Sequence, residues 1–126
     1  MKNIFVSFIL FIILMLLIIL PPCYLNKICG SLTDKADNIE LLVSNENWND
    51  SYILSVQLLN SWQDYKKIFS IFVPHNEIDN LDMEMYKLSQ YVKCRDEAES
   101  MASIHLIKFL VNHLSELNKV NFRNIF

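Results

Sequence analysis

An all-α fold is predicted for this chain: an N-terminal transmembrane helix followed by an up-down bundle of about four helices. Three observations predict it. One apolar run extends from Ile4 to Leu20, interrupted only by Ser7. The chain is nearly free of turn residues, with Gly30 its single glycine and only three prolines. Apolar residues then recur at steps of three and four through the rest of the sequence, the spacing of a helix face.

The run comes first. Seventeen helical residues reach ~26 Å, close to the ~30 Å of a bilayer's hydrocarbon core. A cleaved secretory signal is the competing reading. Signal cores are shorter and end at a small-x-small site, which Leu20-Pro21-Pro22-Cys23 does not offer. A lipoprotein site needs a small residue before its cysteine, where Pro22 stands. A retained anchor over 1–22, contacting the lipid bilayer through residues 4–20, is therefore expected, with a helical domain over 23–126. Flanking charge does not fix the sidedness, since Lys2 and the α-amino group oppose Lys27 and Lys35. The very short N-terminal tail favours a cytoplasmic N-terminus and an extracytoplasmic domain.

Four amphipathic stretches follow. The first carries Leu25, Ile28, Leu32, Ala36, Ile39 and Val43 and runs to about Ser44, either packed in the bundle or standing off as a stalk. Asn45-Glu46-Asn47 reads as a turn, with Asn49 or Asp50 able to cap the next helix. The second has Tyr52, Val56, Leu59, Trp62, Tyr65, Phe69 and Phe72 on one face and ends at Pro74, which disfavours helix at the residue before it. The third carries Ile78, Leu81, Met85, Leu88 and Val92, with Asn76 and Asp79 at capping-box spacing. Asp96 and Glu99 repeat that spacing before the fourth. The fourth has two apolar stripes, one through Ala102, Leu106, Phe109, His113 and Leu117, the other through Ile104, Ile107, Val111 and Leu114. A helix apolar on most of its surface is either central or meets a second chain. A faint internal echo at an offset of 47 aligns Asn47–Ser51 with Cys94–Ala98, as tandem helical hairpins would.

Composition narrows the function. The net charge is −3, and a nucleic-acid footprint would be basic, so no nucleic-acid partner is expected. Cys23, Cys29 and Cys94 make no disulfide framework, and Cys23 could instead carry an acyl chain at the bilayer edge. There is no Gly-x-Ser-x-Gly elbow and no glycine-rich phosphate loop. No enzyme activity and no cofactor are expected. The densest polar cluster is His75-Asn76-Glu77-Ile78-Asp79. His75 and Asp79, four apart, would share a helix face as metal ligands can, and His75, Glu77 and Asp79 form the candidate binding or structural cluster. The alternative is a helix start whose acids satisfy backbone amides. The aromatics Trp48, Trp62, Tyr65, Phe69 and Phe72 read as core before ligand cavity, and Asn49-Asp50-Ser51 matches a glycosylation acceptor.

Trp48 at a helix start, Trp62 in mid-helix, His75-x-Glu77-Ile78-Asp79-x-Leu81-Asp82 and the closing Asn124-Ile125-Phe126 resemble a bacterial domain-of-unknown-function family of short, single-span proteins from Gram-positive spore formers. Ser51 stands where that pattern has a small alanine. The resemblance implies an anchored extracytoplasmic helical domain and no activity, and it adds weight to His75, Glu77 and Asp79. The resulting expectation is a structural or protein-interaction module at the outer membrane face, holding a partner protein or a second copy of itself. A metal- or small-ligand sensor using His75, Glu77 and Asp79 is the alternative. Phe122, Ile125 and Phe126 are expected either to fold back on the bundle or to serve as a docking tail.

Overall fold

The computed structural model describes residues 1–125, without the side chains of Asn121, Phe122, Asn124 and Ile125. The expectations for Phe122, Ile125 and Phe126, and for the closing Asn-Ile-Phe, lie outside the described residues. Four helices follow one another: α1 (Lys2–Ser44), α2 (Trp48–Phe72), α3 (His75–Lys93) and α4 (Glu97–Ile125). Each packs on its chain neighbours and α4 closes on α1, so the helices form an up-down-up-down ring.

The four amphipathic stretches are the four bundle helices. The apolar run is not a separate helix, as expected from the sequence, but the first half of α1, which continues for 43 residues through Pro21 and Pro22. Two prolines cost two intrahelical donors without forbidding helix, because their fixed φ is already helical. The half before Leu25 is bare apart from partial cover at Met15, Ile18, Pro21 and Pro22. The half after it buries Leu25, Ile28, Cys29, Leu32, Ala36, Ile39 and Val43. This stretch is part of the core, not a stalk. Lys108 of α4 fastens it from outside, with its ammonium 2.6 Å from Asp37 and also paired to Glu40, while His105 lies 3.5 Å from Glu40. Burial alone would lower the Lys108 pKa. The hydrogen bonds to the two carboxylates overcome it and the pKa is raised.

The α1–α2 and α3–α4 turns are the same object. In each a helix ends on a left-handed residue, Glu46 and Arg95, both at φ 57°. The next amide reaches back to the carbonyl five residues earlier: Asn47 to Leu42 at 2.9 Å, Asp96 to Tyr91 at 3.0 Å. This is the Schellman end, normally built on glycine. A chain with one glycine builds it on Glu and Arg, at a cost of roughly 1 kcal/mol each. The correspondence continues into the helices at an offset of 49, not 47. Cys29, Leu32, Ala36, Ile39 and Val43 of the core match Ile78, Leu81, Met85, Leu88 and Val92. Ser51, Ser55, Leu58, Trp62 and Phe69 match Ser100, Ile104, Ile107, Val111 and Asn118, and all are buried. The two hairpins are a pseudo-two-fold repeat about an axis along the bundle, so residues 49 apart stand at equal height.

Caps depart from expectation at α2. Asn47 is the N-cap, and its side-chain amide donates to Asp50 at 2.9 Å, instead of Asn49 or Asp50 capping. At α4 the expected cap is present, with the Glu99 amide donating to Asp96 Oδ1 at 3.1 Å. No side chain caps α3, so the Asn76–Asp79 capping box is not formed. Pro74 takes the α3 N-cap position instead, and Val73 before it is extended, as proline requires. The core face of α2 runs through Ser51, Ser55, Leu58, Trp62 and Phe69. Tyr52, Val56, Leu59 and Tyr65, expected inside, are half-buried at its margins, and Phe72 is exposed.

All three cysteines are free, with Cys29 alone buried. Burial pushes the Cys29 thiol up to about 11 from 9.0. Below pH 9 it is protonated in both folded and unfolded chains. Between 9 and about 11 only the unfolded chain ionises, so stability is lost as pH rises through that window. Chemical melts of the full chain in detergent should fall more steeply over it than those of Cys29→Ala, the difference reaching at most about 2–3 kcal/mol. Parallel curves would refute the assignment.

Candidate functional site

The sequence cluster lies at the start of α3, in the α2–α3 corner. The Glu77 and Ile78 amides both point back to the Pro74 carbonyl, at 3.1 and 3.5 Å, so the backbone closes this helix end without the acids. The structure separates the three residues. His75 and Asp79 are exposed, whereas Glu77 is half-buried and turns to α4, where its Oε1 lies 3.6 Å from His113 Nε2. His113 in turn stacks on Phe109, rings parallel within 1° and centroids 6.4 Å apart. Among the described residues no group of three His, Cys, Asp or Glu side chains is placed to hold a metal ion. What the arrangement does chemically is join α3 to α4 through a Glu–His contact whose charge depends on protonation of the imidazole. Asp82, from the same motif, faces the other way, accepting from Lys66 at 2.9 Å and from Gln63 at 2.7 Å on α2.

The glycosylation tripeptide opens α2. Asn49 is exposed, but Ser51 is fully buried and donates its hydroxyl to the Asn47 carbonyl at 2.6 Å. Trp62 and Phe69 are core, with ring centroids 5.4 Å apart, and Trp62 Nε1 is buried without a partner among the described residues.

Two surface features were not singled out from the sequence. A cleft of about 450 Å³ at the far end of the bundle is lined by Trp48 and Tyr52 beside Lys93 and Arg95. The two-fold relates its aromatic wall to Glu97 and Met101, so only one hairpin carries it. A smaller groove of about 320 Å³ runs between α3 and α4 past Met83, Leu106 and Leu110. Its α4 side belongs to the outer of the two stripes read from the sequence. Ile104, Ile107, Val111 and Leu114 are the core stripe. Leu106 and Phe109 remain 43% and 65% exposed, as do Met83 and Tyr86 of α3, each 59%. Periodicity alone does not say which of the two α4 stripes faces the bundle.

A family model, the domain of unknown function DUF4363, matches residues 22–125. The chain belongs to that family. Its matched region begins directly after the apolar run and takes in all four bundle helices. No curated protein and no solved structure matches the chain.

If the corner is structural, the three residues separate by substitution. In urea melts of the full DUF4363 chain, His75→Ala and Asp79→Ala should change stability by less than ~0.5 kcal/mol. Glu77→Gln should cost about 0.2–1 kcal/mol. Zinc that raises the melting temperature of the parent chain but not of His75→Ala would establish a metal site instead.

Proposed function

We propose that this DUF4363 protein is a membrane-anchored helical module with a structural, protein-holding role at the outer membrane face, and that it is not an enzyme. The observation that carries the interaction role is the second apolar face of α4. One face is closed by the bundle. The other leaves Leu106 and Phe109 open beside Met83 and Tyr86. Large exposed apolar patches on a stable domain mark contact surfaces. The anchor is supported by α1, whose 18-residue apolar window has mean hydropathy 3.2 and no buried residue. A helix that is apolar and unpacked over such a length is stable in lipid and a liability in water. Its direct continuation into the bundle would hold the α3–α4 face at a fixed height above the membrane, facing sideways toward other membrane proteins or a second copy.

Sidedness is read from the cysteines. Cys23 and Cys94 are exposed, and Cys94 stands at the end of the bundle away from the apolar run. In intact cells making the Cys23→Ser chain, a membrane-impermeant maleimide should label Cys94 without permeabilisation. Labelling only after permeabilisation would reverse the orientation.

The interaction role is tested by a photo-crosslinking residue at Phe109, compared with one at exposed Asn38 on α1. Position 109 should give a discrete product, identified by mass spectrometry as one partner or as a dimer of this chain. Position 38 should not, and Phe109→Glu should fold normally. Matching diffuse products from both positions would sink the reading.

A further inference from the structure

The lower end of the bundle carries a slot that neither the helical corner nor the α3–α4 face uses. It lies between α1 and the last turns of α4, has a volume of about 280 Å³, and is lined by Ile19, Pro22, Cys23, Asn26, Lys119 and Arg123. Its height is fixed by two hydrogen bonds. Asn118 Nδ2 donates to the Pro22 carbonyl at 3.1 Å, and Ser115 donates to Asn26 at 3.0 Å. Residue 118 of α4 is therefore level with the end of the apolar run. From there α4 continues downward, and at ~1.5 Å per residue Arg123 lies a further ~7 Å toward the run.

We propose that this slot is a binding site for the headgroup of an anionic phospholipid, with its phosphate between Lys119 and Arg123 and its acyl chain along Ile19 and Pro22. The proposal rests on the membrane reading of residues 4–20. If that run fills the hydrocarbon core, its end and the overhang of α4 stand in the headgroup layer. Two cations there, on long stems that can reach outward from an apolar wall, match a phosphate above and a chain below. Glu116 lies 3.4 Å from Lys119, and both of those side chains are more than half exposed, so the pair is weak competition for a lipid phosphate. A soluble anion fits less well, because Ile19 at the end of the run and Pro22 just past it give the slot an apolar wall. The opposite side of the same end supports a bilayer contact. Ile71, at the end of α2, is 75% exposed, and its equivalent in the second hairpin is Val120, 48% exposed. The two-fold puts both at the same height, apolar and outward.

Tryptophan quenching in vesicles of phosphatidylcholine and phosphatidylglycerol (7:3) tests this on the full chain. In a Trp48→Phe background the remaining Trp62 is fully buried and gives a constant baseline. Single probes are placed by Leu10→Trp in the run, Cys23→Trp in the slot and Ile53→Trp near the far end. Brominated phosphatidylglycerol should quench Cys23→Trp about twofold more than brominated phosphatidylcholine at the same mole fraction. Lys119→Gln with Arg123→Gln should remove that preference, and Ile53→Trp should respond to neither lipid. Equal quenching of Cys23→Trp by the two lipids, or a preference that survives the double substitution, overturns the slot while Leu10→Trp is still quenched by deep bromines. An unquenched Leu10→Trp overturns the anchor itself, and the slot with it.

Discussion

Everything in this molecule depends on one helix with two kinds of surface. The first half of α1 is apolar on every side and packs on almost nothing, while the second half confines its apolar residues to one buried stripe. The change occurs within a turn or so of Pro22. Before it, side-chain character is uniformly apolar around the helix. After it, a 3.6-residue period returns, as a bundle in water demands. The two prolines sit at that boundary. They leave the Leu17 and Ile18 carbonyls without their usual intrahelical donors, and the helix continues through them. Proline here marks the change of surface rather than the end of a helix.

The bundle is built to receive that helix. Its ring closes between α1 and α4, so α4, the longest helix of the bundle proper, must recognise α1 from 68 to 96 residues away in sequence. It does so by three means along its length: Lys108 to Asp37 and Glu40, Ser115 to Asn26, and Asn118 to the Pro22 carbonyl. Apolar packing supplies most of the stability, at ~1.5–3 kcal/mol for each fully buried aliphatic side chain. The polar contacts fix register, because an apolar stripe alone would tolerate sliding by a turn. Ser51 and Ser100, at equivalent fully buried positions, are small enough to bring the helices of each hairpin together beside the turns.

Much of this was legible in the sequence, and the failures share a physical cause. The core faces of α1 and α3 were read correctly because every buried position there is apolar apart from Glu84 and Ser89. On α2 the buried face contains Ser51 and Ser55, so a search for apolar residues shifted the stripe sideways to Tyr52, Val56 and Leu59. The same habit misplaced the repeat. Matching residue types gave an offset of 47, whereas burial and turn geometry give 49, with Glu46 and Arg95 in the same left-handed conformation despite opposite charge. The His75-Glu77-Asp79 cluster looked dense because it is contiguous. In a helix contiguous residues diverge by about 100° each, and Glu77 ends on His113 while His75 and Asp79 face solvent.

In the core the two-fold keeps burial rather than residue type. Core equivalents differ in size, Ala36 against Met85 and Trp62 against Val111, and in kind, Ser55 against Ile104 and Phe69 against Asn118, yet all are buried. Surface equivalents differ as well. Trp48 and Tyr52 correspond to Glu97 and Met101, and exposed Asn60 of α2 corresponds to exposed Phe109 of α4. A duplicated hairpin under no demand beyond folding needs only its core periodicity and its turns, and both are kept here. A polar residue at one copy of an exposed position and a bare phenylalanine at the other adds nothing to the fold. That asymmetry separates the outer face of α4 from the packing pattern that the two hairpins share.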